Sequence, residues 1–437
     1  MKTRTIEVAY MARVEGEAAL TLTLQGEDVT RAELRIFEPP RLFEAMLRGR
    51  SCLEAPDITA RICGICPVAY QMSACAAVED ALGLTISKEV RALRRLLYCG
   101  EWIESHVLHA VMLHAPDFLG VPDVAALAKL HPERVREALR IKKAGNAIVS
   151  TLGGREIHPV NVRVGGFYRE PRREELLSLV PELTWARGAA LEMLGWMAGF
   201  PFPEARRDYL LVALRHPDEY PFNEGHVVTS EGLDIEAREY EQYFTESHEQ
   251  RSHALHTTHQ GKTMYCGPLA RLALNFEKLP AVARDAAELV GLTPACRNPF
   301  KTLLVRAVEV VYAFDEAIRV IEAYQPPAEP AVPGRRPPLG PADMRAGVGH
   351  GCTEAPRGLL YHRYAVDEQG LITDAKIVPP TSQNQRVMEE DLFHMGKELS
   401  SLPKEAARKL AEQAIRNYDP CISCATHFLD LRVERVE

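Results

Sequence analysis

The chemistry in this sequence centres on two cysteine pairs. Cys63-Gly64-Ile65-Cys66 lies near one end of the chain and Cys421-Ile422-Ser423-Cys424 near the other. Each is a Cys-x-x-Cys, and two such pairs can present four thiolates to one ion. Soft thiolates favour zinc, copper(I), iron–sulfur clusters or nickel over magnesium and calcium. Each pair also carries a helix-start signature. Pro67 follows Cys66 directly, and Asp419-Pro420 before Cys421 reads as an N-cap followed by a first helical residue. A thiol near a helix N-terminus ionises more easily. On spacing alone three readings stay open: a structural zinc site, a catalytic or redox metal, or two unrelated pairs. The other six cysteines (Cys52, Cys75, Cys99, Cys266, Cys296 and Cys352) are scattered and read as small buried residues.

These pairs must be positioned by a chain of 437 residues, 46% hydrophobic and 26% charged, which is long enough for a sizeable core. The net charge of -8 and pI near 6.1 lack the basic footprint of a nucleic-acid binder. Ten cysteines are too sparse for a disulfide scaffold. The N-terminus has no apolar signal core, and no apolar run approaches the ~20 residues of a membrane helix, so the expectation is a cytoplasmic protein without a membrane span. Residues 4–36 read as strands with a turn at Gly26-Glu27-Asp28. Helical spacing runs over 67–83, over 86–115 with Pro116 as the stop, and near 122–150, 172–200, 279–290 and 302–324. Residues 206–240 are strand-like, 325–341 form a proline-rich crossing, strands fall near 359–380, and a last helix near 386–416. The fold class expected is mainly α with peripheral β: one domain over 1–437, a large helical bundle with small edge sheets.

The residues around the cysteines resemble a known family. Arg61-Ile62-Cys63-Gly64-Ile65-Cys66-Pro67 is similar to the first cysteine motif of nickel–iron hydrogenase large subunits, and Asp419-Pro420-Cys421-Ile422-Ser423-Cys424-Ala425-Thr426-His427 to the second. Arg13-Val14-Glu15-Gly16, Arg41-Leu42-Phe43-Glu44, Gly153 through Asn161, and Glu354-Ala355-Pro356-Arg357-Gly358 resemble four further family segments. Pro67-Val68-Ala69-Tyr70 looks most like the cytoplasmic, cofactor-coupled branch, NAD(P)-linked or sulfhydrogenase-like.

The resemblance implies reversible cleavage of dihydrogen at a buried nickel–iron centre. Cys63 and Cys421 would be terminal nickel ligands, and Cys66 and Cys424 would bridge to an iron carrying carbon monoxide and cyanide. Glu44, His427 and the Ile377 carbonyl would hold a second ion, usually magnesium. Heterolytic cleavage needs a Lewis acid and a base. Cys421 is the first proton acceptor expected, and Glu15 the relay outward. Arg357, with Pro356 beside it, would face a cyanide or the open metal position. Thr381 would donate to the other cyanide. Asp419 would either orient Arg357 or cap a helix. Electrons would leave through an iron–sulfur small subunit, docked on an apolar patch, towards NAD(P)-reducing (diaphorase) subunits. A structural-zinc scaffold and a respiratory-complex subunit without hydrogenase activity are the alternatives.

His106, His109 and His114 share one expected helix and read as packing residues. His253, His256 and His259 read as a solvated face or partner surface. The chain departs from the family pattern at Tyr70, where many relatives have a histidine, at Glu17, and at Ser105. Phe428 through Glu437 follow the motif histidine, which points to a precursor form or a lineage that keeps its tail.

Overall fold

The computed structural model describes residues 3–326 and 339–427. Most of the proline-rich crossing assigned to 325–341, and all of the tail 428–437, lie outside the described residues.

The helical centre is built from long apolar-faced helices. Lys88–Val107 packs on Pro132–Gly153, and Thr302–Ala323 packs against both Lys88–Val107 and Val180–Ala198. One cluster of buried apolar residues runs from Ile6 to Ala425, so both chain ends enter the same core. No described helix is long and apolar enough to cross a membrane.

Small sheets sit around this centre. Thr3–Val8, Ala18–Gln25 and Asp28–Ile36 form an antiparallel meander, with Ala18 opposite Ile36. Gly347–Ala355, Gly358–Val366 and Ile372–Val378 form a second. Leu211–Arg215, His226–Thr229, Asp234–Ile235 and Tyr265–Cys266 make a four-stranded sheet.

Several expected elements are subdivided. The helix expected over 86–115 is α-helical over Lys88–Val107 and continues as a π-helical stretch over Leu108–His114. Pro116 does not end it: it occupies the first turn of Ala115–Phe118, where a missing N–H costs nothing. The helix near 122–150 is two, because Pro132 starts a new one. The last helix is three pieces, Pro380–His394, Gly396–Ser401 and Lys404–Arg416, with Pro403 as the N-cap of the third.

The C-terminal sheet begins at Gly347, earlier than the strands expected near 359. Alternation is masked there by Gly347, Gly349 and Gly351, which carry no apolar side chain. They are small for a packing reason. A Cβ on any of them would overlap the carbonyl oxygens of Ala81, Ala77 and Ser73 in the Pro67–Leu82 helix. The strand therefore lies directly on the helix that follows the first cysteine pair. Gly349→Ala is expected to cost about 1–3 kcal/mol in chemical denaturation. Gly188→Ala, on an exposed helical position with nothing within 4 Å of its Cβ, is expected to gain about 0.5–1 kcal/mol.

Candidate metal centre

Cys66 is the N-cap of the Pro67–Leu82 helix. The start of that helix is satisfied by Glu101, which accepts from Val68 N at 2.6 Å and Ala69 N at 3.0 Å. Cys421 is the N-cap of a short helix, Ile422–Ala425. Asp419 is not the cap: its backbone is left-handed (φ 51°) and its side chain faces Arg357 instead.

The two pairs meet. Cys63 Sγ lies 3.5 Å from Cys421 Sγ, Cys66 Sγ lies 3.8 Å from Cys424 Sγ, and all four sulfurs fall within 4.8 Å of one another. None is more than 3% exposed. Hydrogen bonds from Cys421, Cys424 and Cys66 hold the Cys63 thiol well below its ordinary pKa, while burial pushes Cys421 well above. The cluster thus shares protons that a metal ion would displace. Of the other cysteines, five are buried and Cys296 is half-buried. Burial pushes Cys75 up to about 12, the behaviour of an inert thiol.

Arg41 ties the two motifs to each other. Its Nη2 donates to the Ile62 carbonyl at 2.6 Å and also to the Ser423 carbonyl. Its backbone N donates to Thr426 O at 2.6 Å.

Glu15 reaches the cluster through the backbone. It pairs with Cys421 in an isolated parallel bridge, and Ile422 N donates to Glu15 O at 2.9 Å. Cys421 Sγ donates to Glu15 Oε2 at 3.0 Å, as does Ser423 N. Gly16 is required next to it, with φ 86°, because a Cβ would lie 2.6 Å from both Glu38 Oε2 and Ile422 Cβ. The N-terminal motif and the second cysteine motif share a buried anchor, Asp117. Arg416 binds it through Nε and Nη2, each at 2.8 Å, and Arg13 Nη2 at 2.5 Å. Arg416 Nη1 also donates to Ala12 O at 3.0 Å.

Arg357 stands on the two-residue turn between Gly347–Ala355 and Gly358–Val366. It donates to Asp419 O at 2.7 Å and Asp419 Oδ1 at 3.1 Å. Its Nη1 and Asp419 Oδ2 are buried without a protein partner. Despite burial, Asp419 and the sulfurs of Cys421, Cys66 and Cys63 keep the guanidinium charged. Arg271 holds the turn. It donates to Ala355 O at 3.0 Å, Pro356 O at 2.9 Å, Glu354 Oε2 at 3.0 Å and both Glu309 oxygens at 2.8 Å. Its guanidinium also lies 4.2 Å from the Trp102 ring centroid. Thr381 Oγ1 accepts from Cys421 N at 2.9 Å, which leaves its own proton free to donate.

Glu44, Ile377 and His427 converge on the other side of Cys424. His427 Nδ1 lies 2.6 Å from Cys424 O, and Nε2 lies 2.8 Å from Ile377 O and 3.9 Å from Glu44 Oε1. Each ring nitrogen of His427 thus faces a backbone carbonyl. Glu44 Oε1 also accepts from Ile377 N at 2.7 Å; a ring nitrogen, a carbonyl and a carboxylate oxygen gathered in one place are a donor set that a cation can take.

The three histidines after Ser105 pack as expected: His109 Nε2 lies 2.8 Å from Arg416 O and His114 Nε2 lies 2.9 Å from Asn417 Oδ1. His253, His256 and His259 do not form a solvated face. His256 and His259 are 3% and 6% exposed in the strand Leu255–His259, and His253 Nδ1 meets Glu38 O at 3.0 Å. Glu17 is exposed, and the Ser105 hydroxyl is buried without a protein partner. Asp117, Arg271, Glu101 and Arg416 were not singled out by sequence. Arg271 is the one charge in Pro268–Asn275, but Glu101 and Arg416 lie in helices that carry several charges, and nothing local sets them apart.

Asp117→Asn is expected to destabilise the chain by about 3–5 kcal/mol, because two arginines lose a buried counter-charge. Against the upward push of burial, His114 and Arg416 hold the Asp117 carboxyl well below its ordinary value. Its contribution is therefore present above the unfolded value and lost as pH falls through the folded one. Thermal melting against pH should show an acid limb that is shallower in the variant.

A family model described as nickel-dependent hydrogenase matches residues 41–137 and 224–427. Sulfhydrogenase 2 subunit alpha of Pyrococcus furiosus is 33% identical over 429 residues, covering 98% of this chain and 100% of the relative. NAD-reducing hydrogenase HoxS subunit beta of Cupriavidus necator is 25% identical, covering 98% and 95%. The crystal structure of an NAD+-reducing [NiFe]-hydrogenase in the H2-reduced state superposes with a TM-score of 0.83 at 24% identity, covering 97% of this chain and 99% of that one. With its four buried cysteines brought together from both chain ends, the chain belongs to the nickel-dependent hydrogenase family and is an enzyme that activates dihydrogen.

Proposed function

We propose that Cys63, Cys66, Cys421 and Cys424 hold nickel, that Cys66 and Cys424 also bridge to an iron carrying carbon monoxide and cyanide, and that the protein interconverts dihydrogen with protons and electrons there. The observation that carries this reading is the convergence of four buried sulfurs with Glu15 hydrogen-bonded to one of them. The donor set fits the group: four thiols lie within 4.8 Å of one another, and Arg357 Nη1 is an orphaned buried donor. When bound, the centre supplies Lewis acidity and redox capacity.

The residues do the rest. Cys421 Sγ takes the proton and passes it to Glu15 Oε2 at 3.0 Å. Glu15 is half-buried, which gives it access to both the sulfur and the exterior. Arg357, oriented by Asp419 and steadied through the Pro356 carbonyl, would offer its unpartnered Nη1 to one cyanide, and the Thr381 hydroxyl would donate to the other. Glu44, Ile377 O and His427 would hold magnesium, at the point where His427 already meets the C-terminal sheet.

Electrons leave through an iron–sulfur small subunit. Exposed Ile157, whose Cγ2 lies 3.9 Å from where a Cβ on Gly64 would sit, supports a docking face beside the first cysteine pair. The NAD-reducing relative supports a nicotinamide-reducing (diaphorase) assembly beyond it.

Glu15→Gln tests the proton route. In the assembled enzyme, nickel content is expected to stay at the wild-type level while deuterium exchange from D2 into water falls by about 10²–10⁴-fold. Exchange at the wild-type rate would remove Glu15 from the path.

A further inference from the structure

Four consecutive carbonyls lead into the second cysteine pair, and a side chain from elsewhere in the fold holds each of them. His109 Nε2 lies 2.8 Å from Arg416 O. Thr302 Oγ1 donates to Asn417 O at 2.9 Å, and Arg306 Nη1 donates to the same oxygen at 3.0 Å. Arg306 Nη2 donates to Tyr418 O at 3.2 Å, and Arg357 Nε to Asp419 O at 2.7 Å. The helix Lys404–Arg416 ends at the first of these residues. The three that follow are buried beyond its last turn, so their oxygens need donors from other elements.

Arg306 is the unusual donor. It is fully buried, one turn after Thr302 in Thr302–Ala323. The other fully buried arginines, Arg95, Arg271 and Arg416, each bind a carboxylate. Among the described residues no carboxylate pairs with Arg306, and its Nε is unpartnered. A guanidinium stays charged, and burying it without a counter-charge is costly. The carbonyl end of Lys404–Arg416, where the helix dipole is negative, offsets part of that cost. Both terminal nitrogens thus serve one short stretch of backbone.

That stretch carries Asp419 to Arg357. Asp419 has a left-handed backbone (φ 51°), which a residue other than glycine keeps where its surroundings hold it. Tyr418, just before it, is held at both ends: its carbonyl by Arg306, its hydroxyl by Asp391 Oδ2 at 2.8 Å. Asp419 Oδ1 then accepts from Arg357 Nη2 at 3.1 Å, which leaves Nη1 of that guanidinium free. If the backbone at 417–418 shifts, the carboxylate shifts with it, and so does the arginine it orients.

We propose that Arg306 is a positioning residue for hydrogen activation: by holding the Asn417 and Tyr418 carbonyls it sets the place of Asp419 and, through Asp419, of the Arg357 guanidinium. The proposal rests on the reading above that Arg357 faces the metal centre. A misplacement of about 1 Å at a reacting group can cost on the order of 10²-fold in rate. The role is therefore visible in turnover without loss of the metal.

The test is a double-mutant cycle on the assembled enzyme, with nickel content, deuterium exchange from D2 and the infrared cyanide bands measured for each variant. Arg306→Met keeps the bulk without the donors, and Arg306→Lys keeps the charge with one nitrogen in place of two. Both are expected to hold nickel at the wild-type level. Exchange is expected to fall by about 10–10²-fold in Arg306→Met and by less in Arg306→Lys, with the cyanide bands displaced. In the Asp419→Asn background Arg306→Met is expected to add little, because its effect runs through Asp419. Arg306→Lys carries the cycle if Arg306→Met does not take up nickel. Wild-type exchange in the nickel-loaded variant, or an equal loss in both backgrounds, would overturn the proposal. Failure of both variants to take up nickel would do the same, since a residue that only places Arg357 is not needed to bind the metal. Asp419→Asn exchanging at the wild-type rate would instead remove the reading of Arg357. A wild-type enzyme with nickel but no cyanide bands would remove the reading of the iron, and the exchange cycle alone would then judge Arg306.

Discussion

Four thiols buried within 4.8 Å of one another set the terms for the rest of the molecule. Fully ionised, each pair would repel by roughly 4 kcal/mol at 4 Å and an effective dielectric of 20. Hydrogen bonds from its neighbours hold the Cys63 thiol well below its ordinary value, while burial pushes Cys421 well above. The arrangement therefore makes sense only if something positive occupies it and if the scaffold is rigid enough to hold the sulfurs in place. The second condition is visible in the charges around it: Arg357 stands beside the sulfurs and is fastened to Asp419, and Arg41 spans the two cysteine motifs.

The fasteners explain how residues from opposite ends of the chain share one site. Arg41 bonds the carbonyls of Ile62 and Ser423, so that a single side chain spans both cysteine motifs. Asp117 gathers Arg13 and Arg416 and so brings Glu15 alongside Cys421. Arg271 fixes the turn that carries Arg357. These are buried, charge-assisted contacts with most donors satisfied, the condition under which buried charges hold geometry rather than cost it. Beneath them, the glycine face of Gly347–Ala355 seats the C-terminal sheet on the helix that starts at Cys66.

Much of the site was legible because its residues sit in short local patterns. The structure brings Glu15, Arg357, Thr381 and Asp419 to the cysteine pairs and Glu44 to His427. The fasteners were not legible. Asp117 and Arg416 are 299 positions apart, and nothing local distinguishes a carboxylate that anchors two arginines from one that faces water. Asp419 was open to a cap reading because Asp-Pro usually starts helices, and the left-handed φ that redirects it is a tertiary effect. His256 and His259 read as a solvated face or partner surface, yet in a strand three-residue spacing puts them on opposite faces, and both are buried. Long helices were found by period, but their breaks at Pro132, Gly396 and Pro403 were run through.

The most direct measurement is nickel-edge X-ray absorption on the assembled enzyme, compared with its metal content. The expected result is one nickel per chain with sulfur as its main ligand and an iron neighbour. Zinc in the four-thiolate site without nickel, or nickel bound mainly by nitrogen and oxygen, would contradict the assignment of Cys63, Cys66, Cys421 and Cys424 as the ligands of a bimetallic centre.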